Sequence, residues 1–210
     1  MARMIGDLLD FTGAGLGAAM PLCPVAADLA SVCRDVCSEF RAAHPTRSIR
    51  FEFSGDLVGT WDPARLRQVV SNLLGNAVQH GAGTGPGIGS VDLAVHAQDE
   101  GIVLSVRNGG APIPPEALPT IFDPLTRVSP ERNRQRRPGS IGLGLYIARE
   151  IVTAHEGSIA VQSSAAEGTT FSVRLPRHVA TSAAQASGHP SAGLAPAQES
   201  VSPAIFVKAK

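Results

Sequence analysis

The sequence predicts an α+β domain in which helices lie on one face of a mostly antiparallel sheet. Two pairs of segments alternate apolar and polar residues across short Gly-containing turns, as β-hairpins do: residues 91–96 with 102–106, and residues 158–163 with 169–175. Residues 62–80 instead repeat their apolar side chains at the helical period. Because strands and helices mix without strict βαβ alternation, a doubly wound parallel sheet is not expected.

The chain has 210 residues, 43% apolar and 17% charged, which suffices for one domain with a buried core plus appendages. Lys and Arg number 18, as do Asp and Glu, so no overall field attracts nucleic acid or an anionic membrane. Cys23, Cys33 and Cys37 are too few and too clustered for a disulfide framework, and they form no CxxC pair for zinc. We therefore expect a soluble cytoplasmic chain that contacts neither nucleic acid nor membrane.

Composition divides the chain into three regions. Residues 1–14 carry apolar side chains at helical spacing until glycines begin, and we interpret them as the remnant of a helix. Residues 15–178 hold the periodic segments and are predicted to form the domain. Residues 179–210 are rich in Ala, Ser, Pro and Gly without an apolar period, so we predict a disordered tail.

The domain is predicted to start with a helix over residues 25–43 and a strand over residues 50–53. The helix is predicted from apolar residues at steps of three and four, namely Leu29, Val32, Val36 and Phe40. The strand is predicted from the alternation Arg-Phe-Glu-Phe.

The clearest helix follows Asp62, a good N-cap, has Pro63 at its first position and ends at Gly81. Its apolar residues share one sector, which predicts a buried face: Leu66, Val69, Val70, Leu73, Leu74 and Ala77.

A row of polar side chains runs along this helix at the border of its apolar sector. Asn72, Asn76 and His80 are spaced four residues apart, and Arg65 lies on the same edge. The row is either plain polar surface or the border of a cleft, and the poor helix propensity of Asn favours the cleft. An amide oxygen can complete an octahedral Mg²⁺ shell made mostly of phosphate oxygens and waters.

Two Gly-containing loops are further candidates for ligand contacts. A strand ends at Asn108 before a Gly/Pro segment, which is either an ordinary β-turn or a place where the amide binds a flat heteroaromatic edge. After a short apolar helix near residues 118–122, glycines open a helix over residues 141–154 and make its N-terminus an anion site. Ile147 stands where a dinucleotide fingerprint needs a third glycine, so a Rossmann fold is excluded.

Between these loops lies an arginine-rich segment that contains Arg127, Arg132, Arg134, Arg136 and Arg137. It is either a solvated loop or a loop that folds over a polyphosphate, since guanidinium groups match phosphate geometry. A nucleic-acid patch is less favoured because no aromatic residues are interleaved to stack on bases.

In order and spacing, these segments resemble the ATP-binding catalytic domain of sensor histidine kinases, in the family shared with gyrase-type ATPases and Hsp90. The matching residues resemble that family's N box, G1 box, F box, G2 box and closing hairpin: residues 65–77, 106–114, 121–125, 141–148 and 167–171. The resemblance covers residues 25–176 and implies a two-layer α/β sandwich of the Bergerat type that uses ATP and Mg²⁺.

The resemblance also implies roles for individual residues. Asn72 and Asn76 would be the catalytic residues, with Asn76 binding Mg²⁺ and Asn72 lying near the triphosphate. Asn108 would hold the adenine amino group with help from Thr170. The remaining nucleotide-binding residues implied by the boxes are His80, Gly110, Pro112, Ile113, Phe122, Arg127, Gly139, Ile141, Gly142, Leu143, Gly144 and Leu145.

The sequence departs from the family's pattern within the site. Asn108 replaces the usual Asp of the G1 box, although its amide still accepts a hydrogen bond. Gln79 and His80 stand where Lys and Tyr are common, which removes one phosphate cation. Asn72 stands where the family's ATPases place a carboxylate base, which fits phosphoryl transfer to a side chain better than activation of water.

None of the six histidines has the acceptor context of a histidine kinase, a His followed by Glu or Asp and soon after by Pro. Residues 1–14 resemble the end of the second dimerisation helix. We therefore expect transfer of the ATP γ-phosphoryl group to a histidine on a dimerisation segment or another chain, with a response regulator as a further partner. The alternatives are a nucleotide-responsive binding module without kinase activity and an anti-sigma-type serine kinase.

Overall fold

The computed structural model describes residues 20–81, 89–98, 101–126 and 142–178. Its helices are α1 (Leu29–Ala43), α2 (Pro63–His80), a 3-10 helix (Pro115–Thr120) and α3 (Gly144–Ala154). Its strands are β1 (Val25–Asp28), β2 (Ser48–Ser54), β3 (Val58–Trp61), β4 (Ser90–Gln98), β5 (Gly101–Asn108), β6 (Ser158–Ser164) and β7 (Gly168–Pro176). The predicted helical remnant over residues 1–14 and the predicted tail over residues 179–210 lie outside the described residues.

A five-stranded sheet in the order β2-β4-β5-β7-β6 forms one layer of the domain. Only β2 and β4 are parallel, and the other neighbouring strands are antiparallel. Leu93, Val106 and Phe171 lie opposite one another in register and are buried, whereas Ser105 and Ser172 on the other face are partly exposed. Helix α2 contacts both α1 and α3, each of the three α-helices contacts the sheet, and together with the buried face of the sheet they form the core. The predicted α+β architecture is confirmed.

The predicted helix over residues 25–43 is wrong at its start. Val25–Asp28 is a strand, and it pairs antiparallel with Val58–Trp61, a strand that the sequence pattern does not predict. The helix begins only at Leu29, because Asp28 has extended backbone and its carboxylate accepts from the Ala30 N–H as an N-cap. The apolar spacing of α1 continues into Val25–Asp28, but pairing with Val58–Trp61 gives this segment a strand conformation.

The two other helix boundaries that differ from the sequence prediction lie near the loops. The apolar helix predicted near residues 118–122 is a 3-10 helix that starts and ends earlier, at Pro115 and Thr120. The helix predicted from residue 141 begins at Gly144, since Gly142 has a positive φ of 80° that a right-handed helix does not adopt.

Helix α2 follows its sequence prediction. The Asp62 side chain accepts from the Arg65 N–H, Pro63 occupies the first turn, and Gly81 caps the end by donating to the Ala77 carbonyl. All six residues of the predicted apolar sector are buried.

The described cysteines carry free thiols, with Cys33 and Cys37 buried in the core and Cys23 exposed. Burial raises the pKa of the Cys37 thiol to about 11, so this group stays protonated at neutral pH. Within the described ranges, none of the helices combines the length and apolar character that crossing a bilayer requires.

Candidate functional site

The polar row of α2 meets the glycine-opened helix α3. Asn72 is only 6% exposed, so it lies inside the fold rather than on a solvated face. A Cβ added to Gly144 would lie 3.6 Å from the Asn72 Oδ1, which places the first turn of α3 directly against this side chain. Asn72 and Gly144, which are about seventy residues apart in the sequence, therefore line the same site.

The other end of the row meets the end of β5. Asn76 and His80 are half-buried on successive turns beyond Asn72. Gly81, which caps the helix, lies against Asn108, since a Cβ added to Gly81 would be 3.3 Å from the Asn108 Cβ. From Asn72 to His80 the row is about 12 Å long, and it joins the mouth of α3 to the G1-like loop.

Asn108 presents a buried hydrogen-bond acceptor. It is 4% exposed, and its Nδ2 donates to the Gly109 carbonyl at 2.6 Å. Its Oδ1 is buried and has no hydrogen-bond partner within the part of the chain that the structure describes. An unsatisfied buried acceptor costs about 1–3 kcal/mol, so a ligand N–H that reaches it is favoured.

The loop after Asn108 is held close to the end of α2. Gly110 has a φ of 122°, and a Cβ there would lie 2.5 Å from the His80 carbonyl oxygen, so only glycine fits. Pro112 is exposed, and Ile113 packs partly against the core. The Ile113 N–H donates to the Ser163 hydroxyl at 2.9 Å, which ties the loop to the β6–β7 hairpin.

The strand register corrects the position predicted for Thr170. Thr169 lies opposite Asn108, whereas Thr170 lies opposite Arg107 on the other face of the sheet. Side chains alternate between faces along a strand, so Thr169 shares the buried face with Asn108 and Thr170 does not. The Thr169 hydroxyl contacts the Ser163 hydroxyl at 2.7 Å and joins the same network. Thr169 alternates with the apolar residues Phe171, Val173 and Leu175 along β7, so the period-two pattern of the sequence already places it on the buried face.

Phe122 lies in the core, and its predicted contact with the nucleotide stays a prediction. Its ring is 1% exposed and meets the Phe171 ring edge-on, with the ring centroids 6.2 Å apart. An aromatic pair of this geometry is a stable packing unit. Leu143 is likewise buried, and Leu145 is half-buried against the core.

The mouth of α3 is built by backbone groups. Leu143 precedes the helix and makes no side-chain cap, so the residue at the N-cap position leaves the N–H groups of the first turn without a side-chain acceptor. The Gly142 carbonyl accepts from the Leu125 N–H at 3.1 Å, and Arg149 pairs with Asp123 at 3.5 Å, so the F-box-like segment is fixed to α3. Arg127, Gly139 and Ile141, also predicted to contact the nucleotide, lie outside the described residues.

The donors present suit a metal that brings most of its own ligands. Within residues 20–81, 89–98, 101–126 and 142–178, no three His, Cys, Asp or Glu side chains form a metal-binding group. The amide oxygen of Asn76 is a neutral hard donor of the kind that Mg²⁺ accepts beside phosphate oxygens and waters. The residues therefore fit a phosphate-bound Mg²⁺ and not a metal held by the protein alone.

Sequence reasoning missed one buried polar residue that touches the helices of the site. His155 is 0% exposed at the end of α3, and its Nε2 accepts from the Asp62 N–H at 3.1 Å. Burial lowers the pKa of His155, which keeps the imidazole neutral. The sequence does not indicate that His155 is buried, because most polar residues that follow the last apolar position of a helix are exposed to solvent.

The stretch that holds these elements matches a known protein family. Residues 61–179, more than half of the chain, match the family described as histidine kinase-, DNA gyrase B- and HSP90-like ATPase. The chain belongs to this ATPase family. All the site residues that the structure describes lie inside the matched range.

Curated relatives of this ATPase-family chain include sensor histidine kinases. CusS of Escherichia coli O157:H7 is 37% identical over 179 residues, which cover 84% of this chain and 35% of CusS. TcrY of Mycobacterium tuberculosis H37Rv, a probable sensor histidine kinase, is 36% identical over 84% of this chain and 35% of its own length. A bacteriophytochrome of Pseudomonas aeruginosa PAO1 is 31% identical, with 84% and 23% covered. The chain spans about a third or less of the length of these relatives.

Solved structures support the same placement in the ATPase family. The catalytic domain of histidine kinase ThkA superposes with a TM-score of 0.61 at 26% identity, over 76% of this chain and 97% of that domain. Full-length ShkA in complex with AMPPNP superposes with a TM-score of 0.67 at 28% identity, over 86% of this chain and 36% of ShkA.

Proposed function

We propose that this chain binds ATP with Mg²⁺ and transfers the γ-phosphoryl group to a histidine on a dimerisation segment or another chain. The observation that carries the proposal is the meeting of the Asn72–Asn76 row with the mouth of α3 at Gly144. The sensor histidine kinases among the relatives and the AMPPNP complex of ShkA support it.

The base end of the ATP would lie at Asn108. The buried Oδ1 accepts a hydrogen bond from the adenine amino group, which removes the cost of leaving that oxygen unsatisfied. Thr169 shares this face, and Ile113 offers apolar surface on the adjoining loop. The tight approach of Gly110 to His80 keeps side chains out of the space beside the base.

The phosphates would lie between α2 and α3. The first-turn N–H groups of α3 and its helix dipole attract negative charge. Asn76 would contribute its amide oxygen to the Mg²⁺ shell. Asn72, which lies against Gly144, would stand beside the phosphates. When bound, Mg²⁺ would neutralise charge that develops on the phosphate oxygens.

The transfer needs no base to activate water. An imidazole nitrogen of the acceptor histidine forms the new N–P bond, and the bond from the γ-phosphorus to the β–γ bridging oxygen breaks, which releases ADP. The proton on the attacking imidazole goes to solvent. Asn72 is an amide and takes no proton from water, so the site favours transfer by positioning and charge over hydrolysis.

We further propose that residues 15–178 act as the catalytic domain in a cytoplasmic two-component system, with a response regulator receiving the phosphoryl group from the acceptor histidine. The acceptor lies on a protein segment that the site must reach, since transfer places the imidazole in line with the γ-phosphate.

The test combines γ-labelled ATP, Mg²⁺ and a separate protein that carries an acceptor helix. We expect label on the acceptor that acid removes, because a phosphorylated histidine is acid-labile. Acid-stable label would indicate a serine kinase, and ATP binding without label on any acceptor would indicate a binding module; either result overturns the proposal.

Asn76→Ala provides the matched test of the metal ligand. Mutating a residue that only orients a metal ligand weakens metal binding about tenfold or more. Removing Asn76, the proposed ligand itself, should therefore weaken Mg²⁺-dependent ATP binding by at least about tenfold. The fold should persist because Asn76 is only half-buried. Gln162→Ala removes an exposed amide from β6 and is the control; equal affinity in the two variants would reject the role of Asn76.

A further inference from the structure

His155 makes one hydrogen bond within its own helix and one to another helix. Its Nδ1 lies 2.8 Å from the Ile151 carbonyl, and its Nε2 lies 3.1 Å from the Asp62 backbone nitrogen. A carbonyl only accepts and a backbone N–H only donates, so the ring is neutral with its proton on Nδ1. With no exposed surface, the imidazole has no water to replace either partner.

The partner of His155 is itself rigidly held. The Asp62 carboxylate accepts from the Arg65 N–H at 3.0 Å through Oδ1 and from the Cys23 N–H at 2.9 Å through Oδ2. Trp61, the preceding residue, is fully buried and donates from its indole to the Pro176 carbonyl at 2.7 Å. The start of α2 is therefore a fixed point against which the end of α3 is set.

The two helices touch at a second place along their length. Asp62 meets His155 at one end, and Asn72 meets Gly144 at the other. Ten residues separate the two contacts on α2 and eleven on α3, or about 15 and 16 Å at the rise of an α-helix. Because the start of α2 meets the end of α3, and a later residue of α2 meets the start of α3, the helices run antiparallel. The two lengths agree, so continuous helical segments connect the hydrogen bond at one end with the cleft at the other.

We propose that His155 is a positioning residue that sets how far α3 extends along α2, and thereby aligns the N–H groups at the mouth of α3 with Asn72 and Asn76. The proposal rests on the proposed function, because these N–H groups are the inferred phosphate ligands. An apolar side chain of similar size would fill the space but would leave the Asp62 N–H buried and unsatisfied.

Two substitutions separate the two hydrogen bonds. His155→Gln places an amide oxygen near the Nε2 position and keeps an acceptor for the Asp62 N–H, while His155→Asn places an amide nitrogen near the Nδ1 position and keeps only the bond to Ile151. Val173→Ala is the matched control, since it removes buried volume from β7 and changes none of the four residues that form the two helix contacts.

The experiment measures Mg·ATP affinity by calorimetry, thermal unfolding, and amide exchange in the first turn of α3 on the full chain. Residues outside a binding site shift affinity by about twofold to thirtyfold through coupling, so we expect His155→Asn to weaken binding about tenfold and to speed amide exchange at Gly144 and Leu145. His155→Gln should stay within about threefold of wild type. Val173→Ala should lower the melting temperature without changing the affinity.

Several results would overturn the positioning role. One is unchanged affinity and exchange in His155→Asn, and another is an equal loss of affinity in Val173→Ala. The ring ¹⁵N shifts of wild-type His155 do not depend on any variant folding, and an Nε2–H tautomer would contradict the hydrogen bond to Asp62. Failure of the wild type to bind Mg·ATP would instead reject the proposed function, while the exchange data on the free protein would still test the helix alignment.

Discussion

Replacing Asn108 by Leu should weaken ATP binding while destabilising the domain by no more than about 0.5 kcal/mol. The reason is that Asn108 lowers the stability of the free protein, because its buried Oδ1 has no hydrogen-bond partner among the described residues. Leu keeps the branched shape and removes that oxygen. Stability and affinity should therefore respond differently, as they do where a site is built for its ligand rather than for folding.

The magnitude follows from the contacts of the side chain. Removing the unsatisfied oxygen stabilises the fold by about 1–3 kcal/mol, and losing the Nδ2 bond to Gly109 costs about 0.5–1.5 kcal/mol. The free energy of unfolding should thus change by between about −0.5 and +2.5 kcal/mol. In the complex, the adenine amino group would be left without an acceptor at about 1–3 kcal/mol, which weakens ATP binding about five- to 150-fold.

The assay is calorimetric titration of wild type and Asn108→Leu with ATP and with the triphosphate of purine riboside, which lacks the amino group. Wild type should prefer ATP, whereas Asn108→Leu should prefer the triphosphate of purine riboside, because that nucleotide has no amino group to leave without an acceptor. The change in preference between the two proteins is the coupling energy of the double-mutant cycle for this hydrogen bond. Asn108→Ala is the control for steric effects, because Ala cannot overpack the site. Weak ATP binding by this variant as well would show that the methyl groups of Leu do not cause the loss of affinity.

Two outcomes would refute the reasoning. If Asn108→Leu and Asn108→Ala bind ATP as tightly as wild type, the buried oxygen does not face the base. If both variants lose more than about 3 kcal/mol of unfolding free energy, the side chain serves the fold and not the ligand.

Three further predictions concern the fold around the site. Gly168→Ala should destabilise the domain by at least about 1–2 kcal/mol in denaturant unfolding, because φ is 77° there and the new Cβ would collide with the Asn108 carbonyl oxygen; a loss below 0.5 kcal/mol, on the order of a surface substitution, would contradict it. Trp61→Phe should cost about 1–3 kcal/mol, since the Pro176 carbonyl loses its indole donor at a fully buried position, and urea midpoints that coincide with wild type would disprove this. The folded-state pKa of His155 lies below its unfolded value, so the unfolded chain takes up the proton first as the pH falls. The His155 contribution to stability is therefore complete above about pH 6.5 and declines below it. His155→Gln should show a flatter fall in melting temperature between about pH 7 and pH 5 than wild type, and parallel curves would exclude the effect.

The elements that the sequence predicted well are those whose signals are local. Asp62 and Pro63 mark the start of α2 by cap chemistry, and the hairpins are marked by period-two alternation on both sides of a turn. The G1-like and G2-like loops were found by glycines next to polar residues. The strand Val25–Asp28 was missed because its partner, Val58–Trp61, is thirty residues away and its own spacing continues that of α1.

Alone, the amino-acid order of this chain determined the fold class, the family resemblance and the residues that a nucleotide site would draw on, since periodicity, capping and box spacing act within a few residues. Only the tertiary structure decided that β7 pairs with β5 so that Thr169 lies opposite Asn108, that Phe122 belongs to the core, and that His155 links the end of one helix to the start of another. These facts depend on strand register and on the axial alignment of distant helices. Both are set by packing between elements far apart in the chain, which no local pattern of residues records.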